Sequence, residues 1–343
     1  MLADLPVLVT GGAGYIGTHI VWALRDAGAR PVVLDADRGG RARFFWLPAD
    51  VPVVRADVGD RAALDALAER HRPRAVIHLA ALIDAAESVG HPLAFYRENV
   101  LGTLVLAEWM RAHAVPLLVY SSSAAVYGNG HRPPVAEDVP LHPANPYGET
   151  KRAGEDLLAA AARAAEGALK VVALRYFNVA GADPEGRTGP QSGRQDVISA
   201  ACRAALAGEP LRIFGTDWPT ADGTPVRDFI HVADLAAMHL AALAWQLTGG
   251  QEAPFAVFNC GYGRGVSVRE VAEAVERACG RSLAVEPAPR RPGDIGEMVA
   301  DPSRFAATIG HKPRHASLDA IVSSHWRWLA GAHDRAAPRH PPA

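Results

Sequence analysis

Val7-Leu8-Val9-Thr10-Gly11-Gly12-Ala13-Gly14-Tyr15-Ile16-Gly17 decides how the rest of this chain is read. Residues 7–10 are apolar or β-branched, the pattern of a strand buried on both faces of a parallel sheet. Glycines at 11, 14 and 17 follow at once, and residues 18–27 continue with helical spacing. A glycine turn at that junction lets backbone N–H groups close on a pyrophosphate, at a helix N-terminus whose dipole favours negative charge. Glycine triplets alone are a weak signal, and the strand before and helix after supply the confirming context. A second strand over 31–34 ends at Asp35. An acid there accepts hydrogen bonds from the adenosine ribose and repels a 2′-phosphate, which favours NAD over NADP. The bland alternative is a plain αβ turn with Asp35 as a helix cap; it leaves the coincidence of strand, turn, helix and acid unexplained.

Outward from that stretch, strands alternate with helices. A strand over 51–58 ends near Asp57, placed to accept from the adenine amino group. A helix over 61–70, a strand over 75–81 and a long helix over 95–112 containing Asn99 come next. A strand over 117–120 runs into Ser121-Ser122-Ser123, and a sixth follows over 171–175. This rhythm predicts an α/β fold: a Rossmann-type doubly wound parallel sheet with a smaller C-terminal α/β substrate lobe. The NAD-binding part spans 1–181, with segments around 228–260 packing back on it. Residues 182–330 form mainly the substrate lobe, and 331–343 a disordered tail. In that lobe Asp234 and Ser267 are expected to cap helices. Three hydroxyls at a parallel strand's end are expected to face the cofactor crevice.

Asn145-Pro146-Tyr147-Gly148-Glu149-Thr150-Lys151 carries the chemistry. Pro146 suits the first turn of a helix, and Tyr147 and Lys151 then share one face. A phenol has a reference pKa of ~10, so work as a base near neutrality needs a shift of about three units. One cation ~4 Å away at an effective dielectric of ~20 supplies an energy of that order. Lys151, helped by a positively charged cofactor ring, is therefore expected to provide most of the shift.

Composition excludes several classes. The formal net charge of the 343 residues is −2, so no basic surface marks a nucleic-acid or anionic-membrane binder. Cys202, Cys260 and Cys279 show no CxxC spacing, which argues against a disulfide framework or zinc site and for a reducing cytoplasm. The histidines lack metal-ligand spacing, so no metal is expected. No uncharged apolar run of about 18 residues appears, and residues 1–6 lack the pattern of a signal peptide, so none is expected.

Taken together, these motifs resemble the extended short-chain dehydrogenases/reductases, and within them the UDP-glucose 4-epimerases, from Val7 to about Leu329. The Gly-x-x-Gly-x-x-Gly turn and Asn-Pro-Tyr-Gly-x-x-Lys mark the broad class. Ser-Ser-Ser-Ala-Ala-Val-Tyr-Gly at 121–128 and Arg-Tyr-Phe-Asn-Val-Ala-Gly at 175–181 narrow it. So do Ile-Phe-Gly-Thr-Asp at 213–217, Asp-Gly-Thr-Pro-Val-Arg-Asp-Phe-Ile-His-Val at 222–232 and Arg-Arg-Pro-Gly-Asp at 290–294. The resemblance implies NAD contacts at Gly11, Gly14, Tyr15, Ile16, Gly17, Asp35, Asp57, Val58, Leu79, Ala80, Ala81, Asn99, Ser121, Tyr147, Lys151 and Phe177. It implies catalysis by Tyr147, Lys151 and Ser123, with Ser123 and Tyr147 bonding the sugar's 4-oxygen. A UDP-sugar would be held by Asn178, Phe214, Arg227, Arg291 and Asp294, and a homodimer is implied as well. Ile83, Ala36, Ala125, the 196–198 segment and Met298 depart from the family pattern. Ile83 and the Gly-rich 182–195 loop resemble a polysaccharide and UDP-arabinose branch, which keeps UDP-xylose/UDP-arabinose interconversion open. A nucleotide-sugar dehydratase needs an acid where Ala124 and Ala125 stand. A non-enzymatic NAD sensor shares the fold but has no use for the Tyr/Lys pair.

Overall fold

The computed structural model describes residues 1–38, 44–191, 196–291 and 294–331. The chain begins with β1 (Pro6–Thr10), α1 (Tyr15–Asp26), β2 (Arg30–Leu34), β3 (Val53–Val54), α2 (Arg61–His71) and β4 (Ala75–His78). Next come α3 (Ala85–Gly90), α4 (Pro92–Phe95), a π-helical stretch (Tyr96–Leu101), α5 (Gly102–Ala112), β5 (Leu117–Ser123), α6 (Pro146–Ala164) and β6 (Lys170–Tyr176). After them lie β7 (Asn178–Ala180), α7 (Val197–Ala207), β8 (Leu211–Phe214), β9 (Val226–His231), α8 (Val232–Leu247) and β10 (Phe255–Cys260). The chain closes with β11 (Gly265–Ser267), α9 (Val268–Cys279), β12 (Val285–Ala288), β13 (Glu297–Met298), α10 (Ser303–Ile309) and α11 (Leu318–Ala330).

Seven strands form one parallel sheet in the order β10-β6-β5-β4-β1-β2-β3. The order reverses between β1 and β4, and a crevice opens there beyond the strands' carboxyl ends. Alternation along the strands builds two cores. Val9, Ile77, Val119 and Val172 pack with α1 and α8 on one face. Leu8, Val76, Leu118 and Val171 pack with α2, α5 and α6 on the other. A second sheet, β11-β9-β13 with β7 beside β9, and the β8–β12 pair make up the substrate side, with α7, α9 and α11 around one further core.

Several sequence expectations need correcting. The third strand is two residues long, because Pro52 has no N–H to donate and β2 ends at Leu34. The long helix over 95–112 is interrupted by the wider π turn at Asn99. Asp234 is not a helix cap. His231 Nδ1 accepts the Ala233 N–H at α8, while Asp234 takes the N–H groups of Arg314 and His315 and the Tyr262 hydroxyl. Ser267 does cap α9, in a reciprocal box with Glu270. The tail expected from 331 onward lies outside the described residues beyond Gly331, as do residues 192–195 of the 182–195 loop.

Candidate active site

The crevice begins at the glycine turn. Gly11 has φ +68°, and a Cβ there would sit 2.8 Å from the Ala80 nitrogen. A Cβ on Gly17 would lie 2.3 Å from the Gly11 carbonyl oxygen, so only glycine allows the turn to close. Gly14 precedes α1 with no side-chain cap and no acid in the first turn, leaving the helix N-terminus open to an anion. At the end of β2, Asp35 accepts the N–H groups of Ala13 (3.0 Å) and Asp37 (2.9 Å). Burial raises its carboxyl above the usual range, against those two bonds. A closed glycine cradle, an open helix end and an acid on the next strand together fit a dinucleotide.

Of the other residues expected at the cofactor, several are already engaged within the protein. Asp57 accepts Gly59 N–H through Oδ1 (2.7 Å) and Arg38 Nη2 through Oδ2 (2.6 Å), and Arg38 also pairs with Glu98 (2.9 Å). The side chain of Val58 is in the core, whereas Leu79, Ala80 and Ala81 lie half-buried at the end of β4. The Tyr15 hydroxyl donates to Gly181 O (2.6 Å), tying α1 to the start of the substrate side, and Ile16 packs on the core beneath it. Asn99 is buried, and both its N–H groups are used, to Leu82 O (3.0 Å) and Thr150 Oγ1 (2.9 Å). Its Oδ1 accepts Leu82 N–H (2.8 Å). It therefore pins the loop after β4 to the helix that carries Tyr147.

Local rules explain that helix. Asn145 caps it by accepting Gly148 N–H (2.9 Å), and Pro146 occupies its first turn. Tyr147 and Ser123 meet, the Ser123 contact favouring the phenolate while burial raises the phenol's pKa above its ordinary value. Lys151 is buried, donates to Ser121 O (2.8 Å) and stands 5.3 Å above the Tyr120 ring. Burial brings its ammonium down to about 7, opposed by Glu155. Burial thus acts on both groups, raising the phenol and lowering the ammonium. Ser122 departs from expectation. Its hydroxyl points away from the crevice and donates to Glu155 Oε1 (2.5 Å). Ser121 is buried, and Ser123 accepts the Ala125 N–H (3.2 Å).

The residues expected at the nucleotide sugar lie on β7, β8 and β9 and at Arg291 and Asp294. Arg291 lies 3.7 Å over the Phe214 ring, and its carbonyl accepts Asp294 N–H (3.2 Å). Arg227 is partly buried. Burial lowers its pKa, while nearby Asp294 raises it. Asn178 starts β7, half-buried beside β9. Phe177 packs with Ala124, Tyr127 and Met298 in one small core.

Sequence reading missed what stands behind these groups. Thr103 donates to Asn99 O (2.6 Å), so His78 Nε2–H donates to Thr103 (3.1 Å) and its Nδ1 accepts from Thr10 (2.6 Å). A second buried network runs from Ser122 through Glu155 and Arg175 to Tyr127 and Asn259. A third staple holds Arg290 to Asp217 (2.8 Å) and 4.0 Å over Trp218, next to Arg291. The one available signal was Glu155, four residues beyond Lys151 on the helix's inward face. No cluster among the described residues could hold a metal ion.

A family model for the NAD dependent epimerase/dehydratase family matches residues 7–261. The chain belongs to that family. Within it, the likeness is to the UDP-glucose 4-epimerases. The chain is 46% identical to UDP-glucose 4-epimerase of Azospirillum brasilense, over 94% of this chain and 91% of that one. It is 38% identical to UDP-arabinose 4-epimerase 1 of Arabidopsis thaliana, over 94% of this chain and 78% of the plant protein. The solved structure of UDP-glucose 4-epimerase from Brucella ovis in complex with NAD superposes with a TM-score of 0.86 at 36% identity, covering 94% and 98% of the two chains. The Stenotrophomonas maltophila UDP-glucose-4-epimerase, with bound NAD and formylated UDP-arabinopyranose, also gives 0.86, at 37% identity over 97% and 100%.

Proposed function

We propose that this protein is an NAD-dependent isomerase that inverts C4 of a UDP-sugar, interconverting UDP-glucose and UDP-galactose through a transient 4-keto sugar. The observation that supports it most is the meeting of Tyr147 and Ser123 beside buried Lys151, at the carboxyl end of β5. NAD, when bound, supplies reversible hydride acceptance at C4. Tyr147, as phenolate, removes the 4-hydroxyl proton and later returns it. Ser123 bonds the same oxygen and keeps it aligned. Lys151 offers a positive charge behind the phenol, and Asn99 keeps its helix in place against the loop after β4. Arg227 and Arg291 hold the diphosphate through charge-assisted bonds, Asp294 the uridine ribose, Phe214 the base and Asn178 the diphosphate or sugar. Tight hold on UDP with a loosely held sugar lets the 4-keto ring present either face.

UDP-xylose/UDP-arabinose interconversion is the second reading, supported by the plant relatives named as UDP-arabinose 4-epimerases. Incubation of pure protein with UDP-galactose and with UDP-arabinose, scored by UDP-glucose and UDP-xylose formation, tests both. Absence of both products rejects the epimerase reading. The protein is further read as a cytoplasmic homodimer. Val89, Leu93, Leu101 and Leu104 expose apolar side chains along α3 to α5, with Leu93 78% exposed. A monomeric mass by light scattering refutes the dimer, and Leu93→Glu is expected to produce that mass. Among the described residues no helix is long and apolar enough to cross a membrane.

A further inference from the structure

Tyr147, Lys151 and Glu155 recur every four residues along α6, so they form one row on the helix. Lys151 is 2% exposed and Glu155 4%. Two opposite charges are thus buried one helical turn apart without a direct ion pair between them. Each is instead fastened to β5, on consecutive residues. Lys151 Nζ donates to Ser121 O at 2.8 Å, and Ser122 Oγ donates to Glu155 Oε1 at 2.5 Å. Arg175 of β6 closes on Glu155 as a fork, Nε to Oε1 at 2.9 Å and Nη2 to Oε2 at 2.6 Å. The remaining Arg175 nitrogen donates to Tyr127 Oη and Glu137 O. A carboxylate held by three donors on two strands keeps its position.

The groups around Lys151 leave little else to sustain its charge. From α6 there are Tyr147 and Glu155. From β4 there is His78, which burial drives to about 3 and so keeps neutral. From β5 there are the Tyr120 ring and the Ser121 carbonyl, and from β6 Tyr176 and, beyond Glu155, Arg175. Glu155 is the carboxylate that opposes the effect of burial on Lys151.

We propose that Glu155 is a positioning residue for the reaction: its carboxylate, clamped by Ser122 and Arg175, is the counter-charge of Lys151. The same clamp fixes α6 on β5 in the register at which Tyr147 meets Ser123. The proposal rests on the epimerase reading only for what the Lys151 charge is used for. Glu155 is buried with its oxygens taken by Ser122 and Arg175, so its part is to act through Lys151.

The chain has only three lysines, Lys151, Lys170 and Lys312, which makes the charge directly observable. Protein labelled with ¹³C,¹⁵N-lysine, saturated with NAD, gives three side-chain signals, and the one missing from Lys151→Met is Lys151. At an effective dielectric of ~20, removing a charge one helical turn away shifts a neighbour's midpoint by about one to two pH units. Glu155→Gln is therefore expected to move the Lys151 midpoint down by that amount. In Glu155→Gln/Arg175→Gln the midpoint is expected to lie between the two, since the Arg175 cation is gone as well. The double variant buries no unpaired ion, so it decides the matter if the single variant does not fold. A Lys151 midpoint within about 0.3 unit of native in folded Glu155→Gln or, where that variant does not fold, a double-variant midpoint not below native, overturns the proposal. The kinetic arm follows UDP-galactose turnover. The acid limb of kcat is expected to move to higher pH with KM changed less than about twofold, and an unmoved limb also overturns the proposal. A protein with no epimerase activity would refute the functional reading alone, because the lysine titration is scored without substrate.

Discussion

Replacing Arg227 with Met separates binding from folding at one position. Its Nη1 donates to Val226 O (2.9 Å) and, more weakly, to Gly296 O (3.5 Å). No carboxylate among the described residues forms an ion pair with it, and burial disfavours its charge. A cation kept in that state is suited to an anion that arrives with the substrate. Each charge-assisted hydrogen bond contributes about 1.5–3 kcal/mol. Two bonds to a diphosphate, reduced by water taking their place, give roughly 3 kcal/mol, or about 10² in Kd. Met retains much of the apolar stem, so packing changes little. Calorimetric titration with UDP and a thermal melt on one preparation read both effects. UDP affinity is expected to fall about 100-fold while Tm stays within about 2 °C or rises. UDP affinity within threefold of native, or a Tm loss beyond about 5 °C, refutes the reasoning. Arg175→Met is the contrast: it strands the buried carboxylate of Glu155 and is expected to cost about 3–5 kcal/mol of stability, read by urea unfolding.

Gly17→Ala places a methyl 2.3 Å from the Gly11 carbonyl and opens the turn. Overpacking of about 1–3 kcal/mol predicts a 5- to 100-fold weaker NAD affinity, which fluorescence titration checks. Asp35→Ser removes the acceptor of two turn N–H groups and the charge facing the ribose 2′ position. The NAD/NADP preference is expected to fall at least tenfold, measured by competitive binding. Acid should destabilise the fold. His78, His231 and His239 are held at about 3, 3 and 4, below their unfolded values. Below pH ~6.5 the unfolded chain therefore takes up protons that the folded one does not, and stability falls with pH. Asp228, raised to about 6, acts in the opposite sense between there and its unfolded range. Urea midpoints at pH 8 and pH 5 check the sign: the midpoint is expected to be lower at pH 5, and His239→Gln to lessen the drop.

Much of this was legible in the chain, for physical reasons that differ by element. The glycine turn is visible because few other arrangements need glycines at 11, 14 and 17 between a strand and a helix. Parallel strands such as 75–78 are visible because burial on both faces leaves a continuous apolar run. The β3 boundary was not, since it depends on where β2 stops. Asp234 misled because an acid three residues into a helix resembles a cap, while its partners, at 262, 314 and 315, are distant in sequence. The Tyr147/Lys151 pair was found from spacing, but the burial that raises one phenol and weakens one ammonium is a tertiary property. The turning of Ser122 toward Glu155 is likewise set by which face of β5 meets α6.

The most direct measurement is the turnover of Tyr147→Phe. Removing the hydroxyl and nothing else is expected to lower kcat for UDP-galactose to UDP-glucose by about 10²–10⁴, the scale of general acid–base catalysis, with UDP affinity unchanged. A kcat within tenfold of native would contradict the account.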